Sequence, residues 1–199
     1  QGFVQYPYRL VQSLQNALTN FPPTFYYDFK ERLVCCGHTI NKPIVISEKA
    51  VYRIDGIFAD DGSGAIIPEK ISSLSGGVSP DGAISVNNKV FFAGEDGFYM
   101  TDGYQCVPIS GNLKARYATI EKSKTKAVFS KEENSIYWLI SYAATGYSEI
   151  WVLNLEKQIS DSSCFTVLTG KDSNMLAPCA TFSDEGELIR GDKDGFIFI

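Results

Sequence analysis

Residues 83–110, AISVNNKVFFAGEDGFYMTDGYQCVPIS, constrain the fold more than any other part of the chain. Short apolar runs are separated by Asn87-Asn88, Asp96-Gly97 and Asp102-Gly103. Such pairs between β-rich runs mark hairpins, because a type I′ turn needs positive φ at both central residues. The pattern predicts a four-stranded antiparallel meander with strands at 84–86, 90–94, 97–101 and 105–109.

Fragments of the same pattern recur. AVYRIDG at 50–56 matches GFYMTDG at 97–103, at an offset of 47 residues. FSKEENSI at 129–136 matches FSDEGELI at 182–189, at an offset of 53. Asp-Gly-Phe occurs at 96–98 and again at 194–196. A four-stranded unit repeating every 40 to 55 residues or so is the period of β-propeller blades; the competing arrangement is a β-sandwich of irregular meanders. Blade-like units are expected near 25–56, 71–110, 117–170 and 176–199. The last runs to Phe198-Ile199 in mid-strand, and closed propellers have roughly four to eight blades, so the expectation is a partial propeller within a longer chain.

The remaining segments fill in around these units. Leu10, Val11, Leu14, Ala17 and Leu18 have helical spacing, which predicts an amphipathic helix over 8–20, ended by Phe21-Pro22-Pro23. Two segments are therefore expected: 1–24, the helix and its Pro-rich linker, and 25–199, the propeller-like domain. Phe25, Tyr27 and Phe29 alternate as in a strand. Ile44–Ser47 and Ala50–Ile54 read as a hairpin closed by Asp55-Gly56. Glycines crowd 57–82, which reads as loop, and the charge-rich stretch 112–127 reads as a solvated connection. Strands are expected at 127–130, 135–142 and 148–155, a short one in FTVLTG, and three more to the end with turns at 184–186 and 192–195. The fold class expected is all-β, with one N-terminal helix.

Composition excludes some functions. With 44% hydrophobic and 13% aromatic residues the chain can bury a core, and a net charge of −5 lacks the basic footprint of a nucleic-acid binder. No apolar run is long enough to span a membrane. The cysteines at 35, 36, 106, 164 and 179 form no CxxC pair and are expected to be reduced, structural thiols.

Each chemical motif has an ordinary structural explanation. His38 is the only histidine, so a Ser-His-Asp or Cys-His triad would have to use it, with Cys35 or Cys36 beside it in sequence. No nucleophile elbow or papain-like context accompanies them. Six Asp-Gly pairs are explained by turn chemistry, and neither Asp60-Asp61-Gly62 nor Asp192-Lys193-Asp194-Gly195 completes a calcium loop. Ser183-Asp184-Glu185-Gly186 lacks the spacing of a sialidase Asp-box. Tyr137, Trp138, Tyr142, Tyr147 and Trp151 could line a carbohydrate surface, but strand alternation sends Tyr137 and Trp138 to opposite faces and favours packing between blades. No GxGxxG, Walker, HExxH or zinc motif is present. Catalytic, cofactor-binding and metal residues are all expected to be none, and no cofactor is expected.

The runs KPIVISEKAVYRIDG, GGVSPDGAISVNNKVFFAGEDGFYMTDGYQCVPIS, ENSIYWLIS and EIWVLNLEKQ resemble propeller regions of tailed-bacteriophage tail proteins, over about residues 40 to 160. The likeness is to nozzle or tail-hub components of short-tailed phages. Where that family often has a Trp in the strand after the VLNLE segment, this chain has Phe165 or no equivalent. The resemblance implies a viral, non-enzymatic virion structural protein in the tail, assembled in the host cytoplasm. It would form a homo-oligomeric ring with other tail and connector proteins, around DNA that passes without specific binding. The alternative is a carbohydrate-binding or carbohydrate-active propeller.

Overall fold

The computed structural model describes residues 7–11, 26–40, 42–58, 64–73, 75–157, 165–169, 179–191 and 197–198. The strands are β1 (Arg9–Val11), β2 (Tyr26–Asp28), β3 (Leu33–His38), β4 (Pro43–Ser47), β5 (Val51–Phe58), β6 (Gly64–Ser72), β7 (Ala83–Val86), β8 (Lys89–Ala93), β9 (Phe98–Thr101), β10 (Cys106–Pro108), β11 (Lys126–Ser130), β12 (Ser135–Tyr142), β13 (Gly146–Asn154), β14 (Phe165–Thr169), β15 (Cys179–Phe182), β16 (Leu188–Gly191) and β17 (Ile197–Phe198). One short helix, α1 (Lys114–Tyr117), lies between β10 and β11.

Neighbouring strands pair antiparallel in sequence order. They form the four-stranded sheets β3–β6, β7–β10 and β11–β14, the three-stranded sheet β15–β17, and the separate pair β1–β2. The first strands of the larger sheets follow one another, β3 beside β7, β7 beside β11, and β11 beside β15. Sheets that meet through their first strands and extend outward from them are the blades of a propeller. The sheets starting at β3, β7, β11 and β15 are called blades 1 to 4 below.

The core consists of apolar layers between consecutive blades. Ile44, Ile46 and Val51 of blade 1 meet Val90, Phe92 and Tyr99 of blade 2. The largest layer lies between blades 2 and 3, where Phe91 and Phe98 pack with Tyr117, Trp138 and Trp151. Tyr137, Leu139 and Ile150 of blade 3 face Ala180, Phe182 and Leu188 of blade 4. Alternation along β12 produces this division: Ile136, Trp138 and Ile140 point toward blade 2, while Tyr137 and Leu139 point toward blade 4. Phe165 lies in the same stack, with its ring centroid 5.9 Å from that of Trp138 and 6.0 Å from that of Phe98.

The meander at 83–108 forms as its turn signals predict, and Asn87 and Asn88 have φ of 49° and 62°. Both longer repeat matches fall on equivalent positions. Residues 50–56 and 97–103 cover the third strands β5 and β9, and residues 129–136 and 182–189 cover the first turns of blades 3 and 4.

Several expectations are corrected. The helix expected from Tyr8 is absent at 9–11, which is β1, paired across the expected boundary at 24 with β2. Tertiary partners override the helical period there: Arg9 grips both carboxylate oxygens of Asp28, and Leu10 joins the cluster around Phe29, Val45 and Ile54. Residues 12–24 lie outside the described set. Asp55-Gly56 is not a turn but lies within β5, opposite Ile67 and Ile66. The loop expected over 57–82 contains β6, so blade 1 extends to Ser72 and blade 2 begins later than expected. Pro68 concealed that strand, and it is tolerated because β6 is the edge of its sheet. Nor is 112–127 simply solvated, since Tyr117, Ile120 and Thr125 within it are buried. The expected turn at 192–195 lies outside the described residues. Among the described residues no helix is long and apolar enough to cross a membrane.

Candidate functional site

Each first strand starts at one end of the propeller axis, which is also where the linkers between blades run. The linker after β6 ties three blades together there. Gly77 donates its N–H to the Ser47 carbonyl of blade 1 (2.8 Å), and Val78 donates to Ala93 of blade 2 (3.1 Å). Ala127 of blade 3 donates to Asp81 (2.9 Å), and the Ser79 hydroxyl donates to the Thr125 carbonyl at 2.6 Å. The linker after β10 is anchored by Tyr117, whose hydroxyl donates to the Gly94 carbonyl at 2.6 Å.

Between these linkers lies a cleft of ≈ 610 Å³. Leu33, Val34, Val78, Pro80 and Ile120 supply its apolar lining, and Arg32, Glu48, Glu95 and Lys122 supply its charges. Those charges are paired, Lys122 Nζ with Glu95 at 2.6 Å and Arg32 with Glu48 at 3.7 Å. The four formal charges cancel, so the charged lining gives the cleft no net charge with which to attract an ion. A second depression of ≈ 670 Å³ lies at the other end, between the first turns of blades 3 and 4, where Lys131 and Glu132 face Asp184 and Glu185.

Neither cleft brings the motif residues together as a reactive set. Cys35 points toward blade 2, where burial, followed by the neighbouring Cys36, pushes its thiol up to about 12, far from a thiolate at neutral pH. Cys36 is exposed on the opposite face of β3, as alternation requires. His38 is exposed at the far end of β3, and its backbone N–H donates to Ser85 Oγ at 2.9 Å. Trp138 and Trp151 are core residues, Tyr137 packs edge-on against Phe182 at 5.1 Å, and Tyr142 is tied to Glu149. The Tyr147 side chain lies outside the described set, as do Asp60, Asp61, Asp192 and Asp194. Among the described residues no group of three His, Cys, Asp or Glu side chains is placed to hold a metal.

Glu149 is the most heavily committed carboxylate. It accepts the Trp151 indole N–H and the Tyr142 hydroxyl, each at 2.8 Å, and pairs with Arg116 from α1. Burial alone would raise its pKa, but the hydrogen bonds from Trp151, Tyr142 and Arg116 outweigh burial and hold it below the ordinary value of 4.5. A depressed carboxylate stabilises the fold above its unfolded pKa and loses that contribution as pH falls through the folded one. Glu149→Gln is therefore expected to cost on the order of 1.5 kcal/mol at neutral pH, and the difference from the parent should shrink as the pH falls below the ordinary carboxylate range. Denaturant titrations of both proteins at several pH values check this; a difference independent of pH would refute the charge-based account.

Comparison with known proteins supports the fold. No protein-family model matches the chain, and no curated protein matches it. Among solved structures, virginiamycin B lyase from Staphylococcus aureus superposes with a TM-score of 0.56 at 12% identity, over 96% of this chain and 62% of that one. That neighbour is a β-propeller, and the all-β, propeller-like architecture is shared. PorZ, a surface component of the type-IX secretion system of Porphyromonas gingivalis, gives a TM-score of 0.38 at 11% identity, over 84% of this chain and 26% of that one. The present chain spans 62% of the length of the lyase. One expectation is corrected here. The chain was expected not to be an enzyme, yet an enzyme is built on this fold, so the architecture is no ground for excluding catalysis.

Proposed function

We propose that this chain is a structural component of a bacteriophage tail, a propeller of the nozzle or hub kind that assembles as a ring around passing DNA. The observation that carries the reading is where the resemblance falls. Residues 40–160 run from the β3–β4 turn to just past β13, and they include the packed layers between blades 1 and 2 and between blades 2 and 3. The matched residues are thus largely the ones that build the blades. A net charge of −5 and the cancelling charges of the axial cleft fit a wall past which DNA slides, because tight phosphate binding needs unpaired Lys and Arg.

Light scattering coupled to gel filtration, with negative-stain microscopy, tests the proposal. The expected result is a ring-shaped homo-oligomer with little affinity for duplex DNA at physiological salt. A protein that stays monomeric across its soluble range, or that binds duplex tightly, overturns it.

A further inference from the structure

The β9–β10 turn, on the far side of the blades from the axial cleft, presents an aromatic ring in an unusual setting. Tyr104 is 79% exposed. Its turn is fixed by Asp102, whose Oδ1 accepts the backbone N–H groups of Tyr104 and Gln105, both at 2.9 Å. One face of the ring is covered by the guanidinium of Arg53 from blade 1, 4.7 Å from the ring centroid. The guanidinium is itself held in place: Nε donates to Asp55 at 3.0 Å, Nη1 to the Gly103 carbonyl at 3.1 Å, and Nη2 to Glu69. Lys42 pairs with the other oxygen of Asp55. The result is a solvent-exposed ring backed on one face by a tethered guanidinium, beside fixed donors and acceptors where blades 1 and 2 meet.

We propose that this surface is a glycan-binding subsite, with Tyr104 as the platform for a neutral pyranose ring. A pyranose has a face of C–H groups that stacks on the electron-rich face of an aromatic ring. Each of its hydroxyls both donates and accepts, so its recognition needs acceptors beside donors. Asp55 and Glu69 accept only, while Arg53 and Lys42 donate only. The formal charges of these four cancel, and Asp102, which accepts the Tyr104 and Gln105 N–H groups, leaves the site one negative charge, so it does not draw in phosphates. A stacked nucleobase would call for a basic groove along the strand. A protein hot spot would need an apolar seal around the ring, and Ile40, in the turn whose Thr39 lies against Gly103, is the one exposed large apolar side chain in that turn. With a single open platform the affinity is weak, around the millimolar range.

Saturation-transfer NMR on the full chain, with the methyl glycosides of glucose, galactose, mannose and N-acetylglucosamine as probes, tests the subsite. The expected result is transfer to the ring protons of at least one glycoside, with binding weakened about tenfold or more in Tyr104→Ala and retained in Tyr104→Phe. Because Tyr104 is exposed, both variants should melt with the parent, and the melting curves establish that they are folded. Absence of transfer from all four probes, or equal transfer to Tyr104→Ala, overturns the proposal. Self-association that is lost in Tyr104→Ala without any glycoside transfer also overturns it, and assigns the patch to a second copy of the chain. The readout does not depend on ring formation, so this inference and the tail reading can fail separately.

Discussion

Trp138→Ala is expected to destabilise the protein by about 3–5 kcal/mol, the range for removing a large aromatic from a packed core. Trp138 is fully buried between blades 2 and 3, stacked on Phe98 at 4.3 Å between ring centroids. Phe98 also packs edge-on against Tyr117 and Trp151, at 5.0 and 5.9 Å, so the loss reaches the linker helix as well as both blades. Walls formed by three separate segments cannot collapse together into the space left behind, which places the cost toward the upper part of the range. The indole N–H of Trp138 has no hydrogen-bond partner among the described residues. Trp138→Phe gives up some volume but also removes that buried donor, so it should cost only about 1 kcal/mol. Urea titrations of the parent and both variants measure the effect. A loss below about 1 kcal/mol for the alanine variant would show that the aromatic layer does not hold the two blades together.

How much of this was legible in the sequence depended on the range of the interactions involved. The meander of β7–β10 was, because its turns are set by adjacent residues such as Asn87 and Asn88. That Tyr137 and Trp138 lie on opposite faces of β12 was also legible, because side chains alternate along a strand, though which neighbour each meets was not. The misses share a non-local cause. Arg9–Val11 has a helical pattern, but Asp28 and the blade 1 cluster draw it into a strand. The Asp55-Gly56 pair looks like its counterpart Asp102-Gly103, but Asp55 is held by Arg53 and Lys42 and the strand continues through it. The candidate sites are the extreme case. The axial cleft is assembled from linkers of different blades. The Tyr104 platform depends on Arg53, 50 residues upstream of the carbonyl it binds in the same turn. Of the aromatics singled out as a carbohydrate surface, Tyr137, Trp138 and Trp151 fill the core and Tyr142 binds Glu149, while Tyr104 carried no signal beyond its place in a turn.

The second large effect is expected at Gly76, in the linker that closes the axial cleft. Gly76→Ala should cost about 3 kcal/mol or more, at and beyond the upper end of the usual overpacking range. A Cβ at this position would overlap the backbone of Glu48 and Lys49, the turn between β4 and β5. A clash with a side chain can be relieved by a change of rotamer, but here the obstacle is main chain, so a turn or a linker must move. Either movement strains the bond from the Gly77 N–H to the Ser47 carbonyl, and Ser47 also holds the turn by accepting from Ala50 N–H at 3.0 Å. Gly146→Ala is the informative control. That residue has φ of 70° with nothing within 4 Å of an added Cβ, so its substitution isolates the backbone cost, about 1 kcal/mol. Denaturant midpoints of the two variants should therefore differ clearly, with Gly76→Ala the lower. Equal midpoints would mean that the linker is free to lift off blade 1, and the cleft between Arg32, Glu95 and Lys122 would then have no fixed shape to recognise anything.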